Sequence, residues 1–209
     1  MIKEKTIVVT LMRKGSKRLP GKNVSMFKGK PLYQHTVETA EKIGLPYYVL
    51  TDYERERIPL VYCKYIRVPD KFCEDFHISN EKIKWFLEQH EIECENIVLL
   101  QVTSPVRDYK HIMDCIDHFE KSDYDCGLYV KKIDAGFYYI DEIPLYNSTK
   151  RDYNGSTKKE IFKETGGFYI FKKYMLERNH ITNGRCMYFR DPFGYDIDTK
   201  EDLKQCLQE

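Results

Sequence analysis

Between the first strand-like run and the first helix-like run lies Arg13-Lys14-Gly15-Ser16-Lys17-Arg18-Leu19-Pro20-Gly21-Lys22-Asn23, with five cations in eleven residues. Such a loop suits a polyphosphate. Arg13, Lys17 and Lys22 supply positive charge, and Gly15 allows backbone N–H groups to approach phosphate oxygens. It is not the P-loop of NTPases, because the ordered Gly-Lys-Ser/Thr ending is missing. A solvated basic loop or a nucleic-acid patch would have the same composition; the position directly after a first strand favours phosphate. Near the other end, Asp196-Ile197-Asp198 sets two carboxylates two residues apart, so an extended backbone turns both to one side and Ile197 to the other. Hard oxygen donors of this kind suit Mg²⁺ that also bridges phosphate oxygens. Thr199 reads as the cap of the final helix. Phosphoryl-type substitution needs positioning and charge neutralisation more than covalent help, so no nucleophilic Cys or Ser is required.

Elements of an α/β domain must hold these groups. Thr6 to Met12 is β-branched and continuously apolar, the pattern of a strand buried on both faces. Pro31 opens a helix to about Ile43, closed by Gly44. Tyr47 to Thr51 and Cys63 to Val68 read as strands, Asn80 to Gln89 as a helix capped by Ser79, and Asn96 to Gln101 as a buried strand. After the turn Thr103-Ser104-Pro105 comes a helix from about Tyr109 to Phe119. Cys126 to Val130 is a further strand. Phe137 to Ile140 and Gly167 to Phe171 read as aromatic strands of a β-rich excursion spanning about 131–171. A short helix at Lys172 to Glu177, a strand at Cys186 to Phe189 and a helix from about Thr199 complete the chain. Alternation of strands and helices predicts a mostly parallel sheet with helices on both sides and ligands at the carboxyl ends of the strands.

The 209 residues are 42% hydrophobic and 14% aromatic, enough for one domain with a sizeable core, and they exclude a disordered chain. Lys plus Arg number 34 against 33 Asp plus Glu, so no whole-molecule field recruits nucleic acid or membrane. The charge is uneven, however: residues 1–31 carry nine bases against the single acid Glu4, which is +8, and the remainder is −7. An anion is therefore expected near the N-terminus. Seven scattered cysteines argue against a disulfide framework or structural zinc. With no hydrophobic signal core and no membrane-length apolar run, a soluble, reducing, cytoplasmic setting is expected.

Four stretches, in order, resemble the acylneuraminate cytidylyltransferases, the CMP-sialic acid synthetases. They are the basic loop, Leu99-Leu100-Gln101-Val102-Thr103-Ser104-Pro105-Val106-Arg107, Thr165-Gly166-Gly167-Phe168-Tyr169-Ile170, and Asp196-Ile197-Asp198-Thr199 with Asp202-Leu203. Arg18-Leu19-Pro20-Gly21-Lys22 is also similar to the loop of KDO cytidylyltransferases. The resemblance implies a Rossmann-like nucleotide-diphospho-sugar transferase fold, a homodimer, and transfer of CMP from CTP to an acidic 2-keto sugar with release of pyrophosphate.

It implies nucleotide contacts from Met12, Arg13, Gly15, Ser16, Lys17, Lys22, Asn23, Asp52, Gln101 and Ser104. On the acceptor side it implies Gln101, Thr103, Ser104, Arg107, Gly166, Gly167 and Phe168. Asp196 and Asp198 would hold Mg²⁺ or Mn²⁺, and Arg13, Lys22 and Asp198 would act in catalysis. Asp52 is equally a turn or cap residue. Asp75 resembles the family's Asp after an Arg-Pro element, although Val68 interrupts that pair here. Lys150, Arg151 and Lys163 could approach a carboxylated sugar or belong to a solvated loop. Departures from the family pattern at Leu11-Met12 and after Lys131 leave the acceptor open among sialic, legionaminic, pseudaminic and KDO-like acids or a phosphorylated compound. Rival readings are a nucleotidyltransferase using another base, a non-catalytic nucleotide binder and a nucleic-acid binder; the paired carboxylates and the −7 remainder argue against the last two.

Overall fold

The computed structural model of the chain describes residues 2–59, 62–72, 79–133, 161–178 and 180–208. The strands are β1 (Ile2–Met12), β2 (Met26–Phe27), β3 (Lys30–Pro31), β4 (Tyr47–Thr51), β5 (Lys64–Arg67), β6 (Ile92–Leu99), β7 (Cys126–Ile133), β8 (Ile161–Lys172) and β9 (Cys186–Arg190). The helices are α1 (Leu32–Ile43), α2 (Ser79–Gln89), α3 (Tyr109–Glu120) and α4 (Lys200–Gln208). Seven strands make one sheet in the order β5-β4-β1-β6-β8-β7-β9, and β2 with β3 forms a separate ribbon.

In this sheet β1 lies between β4 and β6 and runs parallel to both, with Met12 opposite Thr51 and Val9 opposite Leu99. β5 is parallel to β4 and β9 to β7, so β8 alone runs against the rest, antiparallel to both β6 and β7. The carboxyl ends of β1, β4 and β6 therefore share an edge with the start of β8. Sequence dictates much of this. The central strands are apolar on both faces, and Ile7, Val8, Val9, Ile97 and Val98 are all 0% exposed. In α1 the buried residues Leu32, Thr36, Val37, Ala40 and Ile43 recur at helical spacing, and Gly44, at φ +75°, ends the helix with its N–H on the Ala40 carbonyl. Asp108 caps α3 by accepting from the Lys110 N–H at 2.9 Å.

One core layer is formed by α1 and α3 with the Cys206 side of α4, and the other by α2 with the turn at Lys173–Glu177. Among the described residues no helix is long and apolar enough to cross a membrane. The expected β-rich excursion takes a different form where it is described: β8 starts at Ile161 and sits in the main sheet beside β6. Phe137 to Ile140, Lys150 and Arg151 lie outside the described residues, as does Asp75. Phe168 is corrected from acceptor contact to core residue, since it is 0% exposed and packs against Tyr129 and Phe189. Its alternation within β8 turns it inward and leaves nothing for a ligand to touch. Phe168→Ala should accordingly lower stability by about 3–5 kcal/mol in denaturant unfolding, with ligand affinity preserved in the folded fraction.

Candidate active site

A cavity of about 480 Å³ opens where β1 and β6 end. The strand order steps outward from β1 on one side through β4 and β5 and on the other through β6, which leaves a crevice at that edge. One wall is Leu11 of β1 with the basic loop, through Arg13, Ser16, Lys17, Arg18, Lys22 and Asn23; the second is Leu99 at the end of β6 with Gln101, Val102 and Thr103 after it; the third is Ser79 and Lys82 of α2. Its size suits a small anionic ligand, and its lining is cationic.

Defined contacts shape the loop. The Lys14 N–H donates to Asp52 Oδ1 at 2.6 Å, and Asn23 Nδ2 donates to the Arg13 carbonyl at 2.7 Å. Gly21 takes φ +70°, which a side chain would oppose, and starts the short helical turn Lys22–Val24. Lys22 Nζ reaches Asp198 Oδ1 at 2.7 Å and Arg18 reaches Oδ2 at 2.6 Å. Lys22 and Asp198 are 176 positions apart in sequence, and the fold brings them into contact. A Cβ built at Gly15 would meet nothing within 4 Å, so no contact within the protein itself requires glycine at this position. Met12 is 1% exposed and belongs to the core, at the rim of a second, smaller hollow that also touches Asp52 and Lys82. Asp52 holds the backbone of the basic loop from the end of β4.

The carboxylate pair has the expected alternation, for Ile197 is 0% exposed and its N–H donates to the Thr103 carbonyl at 2.7 Å. That bond ties the Asp196–Asp198 segment to the turn after β6. Asp196 keeps much of its own surface. Desolvation by the surrounding protein, and then the neighbouring Asp198, nevertheless hold its carboxyl above the usual range, against a Thr103 hydrogen bond and the fields of Lys22 and Lys163. The two carboxylates thus sense each other, and as a donor set they fit a hard divalent cation that takes its other ligands from phosphate and water. Lys163, an exposed residue of β8, lies close enough to act on Asp196. Thr199 caps α4 as its position suggests: the Asp198 and Thr199 N–H groups donate to Asp202 Oδ2 at 3.0 and 2.7 Å, and the Asp202 N–H donates to Thr199 Oγ1 at 3.2 Å.

On the acceptor side, Gln101 and Thr103 line the cavity. Gly166, at φ +75°, stands so near Gln101 that a Cβ there would lie 3.1 Å from Oε1. Gly167 is packed against Asp191 and Tyr129, where a Cβ would sit 3.1 and 3.2 Å from their side chains. Ser104 is 2% exposed and off the cavity wall, and its Oγ is buried without a hydrogen bond among the described protein atoms. Arg107 also lies off the wall. Its guanidinium donates to the Gly167 carbonyl at 2.7 Å, to Thr36 Oγ1 at 3.2 Å and to the Gln101 carbonyl. Arg107 therefore serves the protein's own framework in this structure, while Ser104 is buried beside it with its hydroxyl unpartnered among the described residues. Sequence reasoning missed Ser79 and Lys82 as wall residues. Lys82 is one cation among several on a polar helix, and only the docking of α2 beside β6 sets it against the loop.

The chain belongs to the cytidylyltransferase family, whose model matches residues 7–209. It is 29% identical over 224 residues to the N-acylneuraminate cytidylyltransferase of Streptococcus agalactiae serotype III, covering 95% of this chain and 52% of that protein. The chain thus spans about half the length of that relative. It is 25% identical over 218 residues to the pseudaminic acid cytidylyltransferase of Campylobacter jejuni strain 81-176, covering 96% of this chain and 94% of the relative. Among solved structures, CMP:2-keto-3-deoxy-manno-octonic acid synthetase complexed with CTP superposes with a TM-score of 0.74 at 18% identity, over 98% of each chain. That likeness establishes the fold as the Rossmann-like nucleotidyltransferase type.

Desolvation works to raise the Asp202 carboxyl, but the hydrogen bonds from Thr199 and Asp198, with Arg18 nearby, outweigh it and hold it below the usual range. A depressed carboxyl contributes stability that is present above its unfolded pKa and lost as pH falls through its folded one. Asp202→Ala should cost about 1 kcal/mol at neutral pH, and its difference from the wild type should shrink on acidification below about pH 4, as read by thermal melts across pH. Gly166→Ala, strained at positive φ and pressed on Gln101, should destabilise by about 1 kcal/mol or more and distort the Gln101 wall, visible as a change in ligand affinity larger than the loss of stability explains.

Proposed function

We propose that this chain transfers CMP from CTP to an acidic 2-keto sugar and releases pyrophosphate. The carrying observation is the meeting of the basic loop and the carboxylate pair at the cavity, through Lys22, Arg18 and Asp198. A triphosphate entering the crevice would draw Arg13, Lys17, Arg18 and Lys22 onto its oxygens. Lys22 and Arg18 now neutralise Asp198; turned towards phosphate, they would leave its carboxylate to a cation. Asp196 and Asp198 would hold Mg²⁺ or Mn²⁺, which supplies charge neutralisation on the phosphates and a template for the leaving group.

The acceptor's anomeric oxygen forms a bond to the α-phosphorus, its hydroxyl proton is released, and the bond from that phosphorus to the α–β bridging oxygen breaks. The chain's part is to align these atoms and to stabilise charge on the leaving pyrophosphate, the dominant contributions in phosphoryl-type transfer. Gln101 and Thr103, which line the cavity, would orient the acceptor, and Lys163, near Asp196, would supply a cation for its carboxylate. The names of the streptococcal and Campylobacter relatives, and of the structure complexed with CTP, support the nucleotide and the acidic acceptor class. On the family resemblance the proposal extends to a homodimer, and on the cysteine usage and hydropathy of the sequence to a cytoplasmic setting.

Pyrophosphate release should appear with CTP, Mg²⁺ and one member of a panel of 2-keto sugar acids, and fail with EDTA or when ATP, GTP or UTP replaces CTP. Silence across the panel together with no calorimetric CTP binding would overturn the reading. Asp198→Asn should lower turnover by about 10²–10³-fold with the fold intact. Lys22→Ala should weaken CTP binding by about 1.5–3 kcal/mol; unchanged affinity would place the phosphates elsewhere.

A further inference from the structure

Arg107 does not line the cavity, yet it joins two elements that border it. The ladder between β6 and β8 ends at Leu99 opposite Tyr169. Two steps further in the same antiparallel register, Gln101 would stand opposite Gly167, but these residues are not paired as strand. Instead both of their carbonyls accept from one guanidinium: Arg107 Nε donates to Gly167 O at 2.7 Å, and a terminal nitrogen donates to Gln101 O. The other terminal nitrogen is anchored on α1, donating to Thr36 Oγ1 at 3.2 Å. The rigid planar fork of arginine can span three acceptors in this way, and a lysine ammonium cannot do so in the same geometry.

The environment makes this an unusual use of a charge. Among the described residues, Arg107 forms no ion pair with a carboxylate. Asp191 is near enough to act on it electrostatically, yet its oxygens accept from Thr165 Oγ1 at 2.5 Å and from the N–H groups of Phe193 and Gly194, each at 2.9 Å. Withdrawing a guanidinium from water onto neutral acceptors is unfavourable unless the geometry it enforces is needed. That geometry is the gap between β6 and β8. Gln101 faces the cavity, and its Oε1 lies 3.4 Å from the Thr103 hydroxyl and hard against Gly166, the residue before the carbonyl that Arg107 holds.

We propose that Arg107 is a positioning residue: it replaces the missing rungs of the β6–β8 ladder and thereby fixes the Gln101 carboxamide on the acceptor wall. This rests on the proposed reaction only for its kinetic consequence. The first test uses the unmodified protein. The Arg107 Nε–H, assigned by its disappearance in Arg107→Lys, should resonate as a single line protected from solvent exchange at neutral pH; prompt exchange overturns the proposal. In Arg107→Lys, the Gln101 side-chain amide resonance, assigned by its loss in Gln101→Leu, should shift or broaden; an unmoved resonance in the folded variant also overturns it.

Kinetically, Arg107→Lys should keep CTP affinity within about twofold and lower kcat/KM for the acceptor at least tenfold. The double variant with Gln101→Leu should be no worse than Gln101→Leu alone, because Arg107 acts through Gln101. Additive losses, or an equal loss of CTP affinity, would mean a general structural role and defeat the proposal. If no acceptor supports turnover while both resonances behave as stated, the positioning role stands and the proposed reaction fails.

Discussion

A loop of five like charges cannot hold its shape unaided, and the active edge depends on the groups that hold it. Asp52 takes the Lys14 N–H, Asn23 ties the loop's end back to the Arg13 carbonyl, and Asp198 receives both Arg18 and Lys22. Each anchor comes from a different part of the chain: the end of β4, the loop itself and the segment before α4. Mutual repulsion among the cations is offset where the anchors bind, and the Lys22–Asp198 pair is partly shielded from water, with Lys22 only 14% exposed along its side chain. The loop is thereby held as a preformed cationic wall, which would lessen the ordering cost of binding the proposed ligand.

Because the same carboxylate that anchors the loop also belongs to the proposed metal pair, the proposed reaction would couple ligand binding to loop geometry. Phosphate would compete for the cations, and a divalent cation would compete for the carboxylate. The α4 cap then matters beyond stability, since Asp202 holds the backbone of Asp198 and Thr199. A helix end far from the loop in sequence thus sets the position of the loop's counter-charge.

The opposite wall follows a different logic. β8 runs against its neighbours, so its first residues, and not its last, meet the carboxyl ends of β1 and β6. Close approach there would crowd a side chain at Gly166 or Gly167. It also leaves the carbonyls of Gln101 and Gly167 without ladder partners, a need that the Arg107 fork meets. Steric and hydrogen-bonding demands converge on the motif residues of β8 and of the turn after β6.

Much of this was legible in the sequence. Period-2 and continuous apolar runs marked most of the described strands of the sheet, helical spacing with Gly44 and Thr199 marked the ends of α1 and α4, and alternation about Ile197 put Asp196 and Asp198 on one side. Local chemistry also marked the loop as a dense cationic segment, because charge density and turn residues are properties of a short segment. Other features depended on the fold. Phe168 sits in a family-like motif but packs into the core; Arg107 and Ser104 sit in another but lie behind the wall; Lys82 carries no motif and lines the cavity. The linear sequence records residue types and spacings, and so determines which segments are strand, helix or charged loop. Which side chains face a shared crevice depends on strand order, on the reversed direction of β8 and on contacts over as many as 176 positions, such as Lys22 with Asp198. Those arise only when the packed sheet brings distant segments within hydrogen-bonding distance.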